Sequence, residues 1–179
     1  MTLAPGRTDV RLFAALTLAR IGETARAKQL VKELERDHPS DTLLKRYWLP
    51  TIQAALEVNR NNSSQALSLL EPAVPYELAT PSELQIGTLF PVYVRGQAQL
   101  IAHNGAAAAK EFLKFEDHRG VTVNFPLGAL AQLGLARAYA LAGDTTKAKT
   151  AYQYFFTLWK DADPDIPILK NAKAEYAKL

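Results

Sequence analysis

Four alanines, Ala27, Ala66, Ala108 and Ala148, stand 39, 42 and 40 residues apart, and each follows a short break in a helical pattern. Self-similarity at a spacing of about 20–50 residues marks a chain built from one small unit laid down several times in a row. In the last unit Leu130, Leu133, Leu135, Tyr139 and Ala142 recur at helical spacing. Gly143-Asp144-Thr145-Thr146 then interrupts, with Gly143 suited to the left-handed residue that ends a helix and Asp144 or Thr145 to the cap of the next. Ala148, Tyr152, Phe155 or Phe156, and Trp159 resume the period. So short a joint makes the two helices pack antiparallel. Ala136 and Ala148 let the backbones approach, and Tyr139 and Tyr152 fill the space between them.

The first unit repeats this plan with Leu12, Phe13, Ala15, Leu16, Ala19 and Ile21, a turn at Gly22-Glu23-Thr24, then Ala27, Leu30, Val31 and Leu34 before His38-Pro39-Ser40. Two weaker copies lie between. One has Ile52, Ala55 and Val58, a turn at Asn61-Asn62-Ser63-Ser64, then Ala66, Leu69, Leu70 and Ala73. The other has Val92, Gly96, Leu100 and Ile101, a turn at Asn104-Gly105, then Ala108, Phe112 and Phe115. Pro50 lies inside a helical pattern, so that helix starts there or is kinked. The short run Val121-Thr122-Val123-Asn124-Phe125 is the one stretch that reads as extended. A last helix over about 166–178 follows Pro164 and Pro167, and its polar face (Lys170, Lys173, Glu175, Lys178) would shield the final pair from water. The expected fold is all-α: one domain over 1–179, a solenoid of about four antiparallel helix pairs (about 8–38, 41–75, 83–116 and 128–160) plus a C-terminal capping helix.

Composition narrows the function classes. A hydrophobic share of 48% supplies a sizeable core, and a net charge of +3 over 179 residues is too weak and too dispersed for a nucleic-acid surface. Basic residues alternate with acids, as in 28–37, where Lys32 and Arg36 beside Glu33 and Asp37 read as a solvated helix face. The chain has no Cys, which removes disulfides, thiolate metal sites and a cysteine nucleophile, and leaves the redox compartment open. No apolar run approaches the roughly 20 residues that span a bilayer, and the first residues carry no signal-peptide pattern. The expectation is a soluble segment, part of a larger protein.

The residues Leu135-Ala136, Tyr139, Gly143, Ala148 and Tyr152 resemble the tetratricopeptide repeat. The first unit matches with Ala15, Gly22, Ala27 and Pro39. The second keeps Ala54, Ala66 and Ala73 with Asn61 in the glycine place; the third keeps Gly96, Ala108 and Phe112 with Gln99 and His103 where the pattern prefers an aromatic and a glycine. The period near 40 exceeds the family's usual 34, and the excess fits the long joints 72–89 and 116–127. The tail 127–179, with Asp117-His118-Arg119-Gly120 and Asn124-Phe125-Pro126 before it, is similar to the C-terminal tetratricopeptide region of bacterial eukaryotic-like serine/threonine protein kinases, and also to segments behind winged-helix regulators. The resemblance implies a signalling parent, cytoplasmic or, behind a membrane helix, extracytoplasmic.

No reaction centre is legible. His118-Arg119-Gly120 lacks the Asp of a kinase catalytic loop, and no Gly-rich phosphate loop or strand Lys is present. Asp161, Asp163 and Asp165 alternate as in a calcium loop, but Ile166 and Ala172 replace its Gly and Glu, so they read as a helix start. His38, His103 and His118 share no metal-binding spacing. No catalytic residue, metal or cofactor is expected. The inner face of such a stack is lined by the first helix of each pair, which by register presents Arg20, Asn59, Tyr93, Gln97 and Arg137. Two Arg and two amides suit a carboxylate or an acidic peptide. The expected function is therefore a non-catalytic protein-interaction module with a protein or peptide partner, without direct nucleic-acid contact or membrane insertion. The alternatives are self-association through Phe90, Tyr93 and Phe125, and an effector region of a winged-helix regulator.

Overall fold

The computed structural model describes residues 7–78, 89–122 and 125–179. Among them there is no strand. The helices are α1 (Thr8–Arg20), α2 (Thr24–Asp37), α3 (Leu49–Asn59), α4 (Ser63–Leu70), α5 (Phe90–Ile101), α6 (Gly105–Asp117), α7 (Arg119–Thr122), α8 (Pro126–Leu141), α9 (Thr145–Leu158) and α10 (Pro167–Tyr176). A π-helical turn, Leu44–Trp48, runs directly into α3, and a 3₁₀ segment, Glu71–Tyr76, follows α4.

Four pairs form: α1 with α2, α3 with α4, α5 with α6, and α8 with α9. Each pair then packs on the next in chain order, through α1 on α3, α3 and α4 on α5, and α5 and α6 on α8. The joints inside the pairs share one device. Gly22, Asn61, His103 and Gly143 all have positive φ, between 57° and 85°. Each stands five residues before one of the four spaced alanines. A left-handed residue closes the first helix and aims the chain back along it. Asn tolerates that conformation, whereas His pays a steric cost that glycine avoids. Asp144 then caps α9 by accepting from the Lys147 amide at 3.1 Å.

Ala27, Ala66, Ala108 and Ala148 are all fully buried. So are Ala15, Ala54 and Ala136 on the facing first helices, with Gly96 in the same place on α5. Small residues on both sides of the seam hold the axes close, and larger side chains fill the space between successive pairs. Pro50 explains the π-helical turn. Its ring excludes the regular bond to the carbonyl four residues earlier, and the wider turn before it relieves the clash. The same turn buries Tyr47 and Trp48 completely.

Trp48 lies edge-on to Phe13 at 5.2 Å and tilted on Phe90 at 5.6 Å, and Phe90 meets Phe125 at 5.8 Å. This aromatic ladder links α1 and α5 with the residues that lead into α3 and α8. It corrects one expectation: Phe90 and Tyr93 are 5% and 7% exposed and belong to the core, while Phe125 is half-buried against Phe90. The extended reading of 121–125 is corrected too, because Arg119–Thr122 is a helical turn; only Phe125 is extended, and 123–124 fall outside the described residues. Two acids of α2 bond along their own helix, Asp37 to Arg36 at 3.0 Å and Glu33 to Gln29 at 3.1 Å, and both are also reached from α1. Arg11 of α1 reaches Asp37 at 2.9 Å and Glu33 at 3.6 Å. Asp163 accepts from the Asp165 amide in the turn before α10, but the helix is capped at Ile166 without a side-chain bond, so none of the three carboxylates caps it. No described helix is long and apolar enough to cross a membrane.

Candidate functional site

Helices α1, α3 and α5 enclose a groove of about 310 Å³ that brings together Arg20, Asn59 and Gln97, with Thr17, Ile21, Ala55 and Val58 as its apolar and small lining. Arg20 and Asn59 occupy the same place, two residues before the left-handed turn residue of their unit. Asn59 donates its side-chain amide across the gap to the carbonyls of Ala19 and Arg20. Those carbonyls are end groups of α1, which lack partners inside their own helix. Asn59 thus fixes the end of α1 while standing in the groove.

The Arg20 guanidinium lies 4.9 Å from the centre of the Tyr93 ring. That spacing is a cation–π contact. No carboxylate pairs with Arg20 among the described residues. Tyr93 itself is buried and supports Arg20 from below. Burial raises the Tyr93 pKa, and the nearby Arg20 and Arg137 only partly oppose it, so the phenol stays neutral.

Arg137, the fifth nominated residue, stands apart in its bonding. Its Nε and Nη2 donate to the two oxygens of Glu175 on α10, at 2.8 and 2.9 Å. Tyr152 adds a third bond to Glu175 at 2.8 Å. Burial alone would raise the Glu175 carboxyl, but the bonds from Arg137 and Tyr152 outweigh it and hold the pKa below the usual carboxylate range. Burial and the adjacent carboxylate push the Tyr152 phenol up. Arg137 therefore anchors the last helix instead of offering a free cation. Three of the five nominated residues, Arg20, Asn59 and Gln97, line one groove, and Tyr93 lies against Arg20.

A second polar cluster escaped the sequence. Arg95 of α5 donates to Glu77 at 2.8 Å and to Glu111 of α6 at 3.0 Å, and Lys114 reaches the same two carboxylates at 2.9 and 3.1 Å. Arg95 and Glu77 are 9% and 8% exposed. The only signal for it was one Arg inside the apolar run 89–98. This network fastens the chain after α4 to the third pair and is structural. Among the described residues no group of three or more metal-capable side chains converges. His38 bonds to Thr8 across the first pair at 2.9 Å, and His103 serves as a turn residue. No family model, curated protein or solved structure matches the chain.

Proposed function

We propose that this chain is a non-catalytic docking module whose helix pairs form a tetratricopeptide-like solenoid, and that its groove receives an extended peptide carrying an acidic residue. The observation that carries this reading is Arg20: a guanidinium without a carboxylate partner among the described residues, braced on a buried tyrosine and set beside two amides in a groove. A guanidinium so placed recognises a carboxylate through paired N–H donors. Ile21, 66% exposed, and Val58 beside it offer an apolar contact for a neighbouring side chain of the same peptide. The similarity of the tail to kinase-linked repeats supports placing the module in the regulatory or sensory C-terminal region of a bacterial serine/threonine kinase.

Affinity capture from the source cells, comparing the native chain with Arg20→Glu, tests the reading. Arg20 sits at a helix end and makes no ion pair among the described residues, and circular dichroism of the variant checks that the fold is kept. The native chain should retain a defined partner that the variant recovers at least tenfold less, because reversing a charge at a recognised carboxylate costs that much or more. Equal recovery by the two proteins would remove the groove from the account.

A further inference from the structure

The outer edge between the third and fourth pairs holds a larger groove, of about 630 Å³. That volume falls within the range of small-molecule sites. Its walls come from Phe115 at the end of α6, Phe125 just before α8, Tyr154 and Leu158 on α9, and Trp159 just after it. Tyr154 and Leu158 are 40% and 47% exposed, large for apolar side chains with room to be covered. Gly128 and Ala129 keep the floor low.

Two polar side chains, Gln132 and Glu116, stand in this apolar space, and Arg119 is exposed at its rim. Gln132 is 6% exposed and donates to Glu116 at 2.6 Å. Glu116 has no cationic partner, Arg119 has no carboxylate partner, and the Gln132 carbonyl accepts no hydrogen bond, among the described residues. The groove therefore holds one carboxylate and one guanidinium that are not paired with each other. A simple anion is opposed by Glu116 and a simple cation by Arg119. A neutral hydrocarbon would strip water from the partly buried Glu116 and leave it without a cation, which is costly. A small zwitterion with an apolar side chain meets all three demands together.

We propose that this groove binds a free α-amino acid with an aromatic or branched apolar side chain. Its ammonium group sits on Glu116 and the Gln132 carbonyl, its carboxylate on Arg119, and its side chain against Tyr154, Leu158 and Trp159. This site is separate from the peptide groove, and either assignment stands or falls without the other.

The test titrates L-phenylalanine and L-leucine into the full chain and reads tryptophan emission together with the melting temperature. Trp159 lines the groove while Trp48 is buried in the core, so a change in emission reports the groove; a Trp159→Phe variant abolishes it. A saturable change with a Kd on the order of 0.1–1 mM is expected. Phenethylamine and 3-phenylpropionate, each lacking one charged group, should bind about tenfold more weakly or worse. Glu116→Gln should weaken L-phenylalanine and spare 3-phenylpropionate; Arg119→Gln should weaken both and spare phenethylamine. The proposal fails if no saturable change appears up to about 10 mM, if the three ligands bind alike, or if a peptide with widely separated termini binds more tightly than the free amino acid. If Glu116→Gln does not fold, the ligand series on the native chain decides alone.

Discussion

Arg95→Met lowers the stability of this chain by about 3–5 kcal/mol, the loss typical when one member of a buried ion pair is removed and its partner stays behind. For a chain of this size that corresponds to a fall of about 10 °C in melting temperature. The arithmetic rests on Glu77, which keeps only Lys114 once Arg95 is gone. Burial alone would raise the Glu77 carboxyl, but the bonds from Lys114 and Arg95 outweigh it and the pKa is lowered. A carboxylate with a lowered pKa stabilises the fold above its ordinary value of 4.5 and loses that contribution as pH falls through the depressed value. The native chain should therefore keep level stability near neutrality and weaken only below about pH 4.5. In Arg95→Met the acid limb should begin at a higher pH, because burial then acts on Glu77 with less opposition. Glu77→Gln in the same background should recover part of the loss, since it removes the stranded charge. Urea unfolding followed by circular dichroism measures each value. A loss below about 1 kcal/mol would place this network with ordinary surface pairs.

The second large effect concerns Phe112. Its ring is buried between Gly96 of α5 and Gly134 of α8. A Cβ added at Gly96 would lie 2.6 Å from the tip of that ring, and one added at Gly134 would lie 2.5 Å from it. Both distances are far inside contact, and the ring has no free side to swing toward. Gly96→Ala and Gly134→Ala should each cost about 1–3 kcal/mol by overpacking, against the usual helix-propensity gain of about 1 kcal/mol for that change. Phe112→Leu in either background should restore much of the loss, because the shorter side chain clears the new methyl. Phe112→Ala alone should cost about 3–5 kcal/mol through the cavity it leaves. Stabilisation by either alanine would contradict the packing described here.

These two predictions also mark what the sequence could reveal. The helix pairs were legible because each needs the same local chemistry: a small residue on either side of the seam and a left-handed turn residue before the second helix. Asn61 and His103 departed from glycine yet kept its conformation, so position in the repeat outweighed residue identity. The groove was partly legible for a similar reason, since helical register alone places Arg20, Asn59 and Gln97 on one face. The fate of Arg137 was not, because its partner Glu175 lies 38 residues away on a helix whose docking angle no spacing rule supplies. The Arg95 network was hidden in the same way, with contacts spanning up to 37 residues. Pro50 announced a disturbance but not its form, since a start, a kink and a widened turn all accommodate a missing N–H.

The central claim is that the pairs stand in a row, each resting on its neighbour. The chain contains no Cys, so spin labels can be placed at will. Labels at Lys28→Cys and, in three separate proteins, at Gln65→Cys, Lys110→Cys or Lys149→Cys mark exposed positions on the second helices of the four pairs. Neighbouring helices pack about 8–10 Å apart, so the distance from residue 28 measured by pulsed electron resonance should lengthen in the order Gln65, Lys110, Lys149. A Lys149 distance as short as that of Gln65 would mean the pairs close into a bundle, and the row with its inner groove would be wrong.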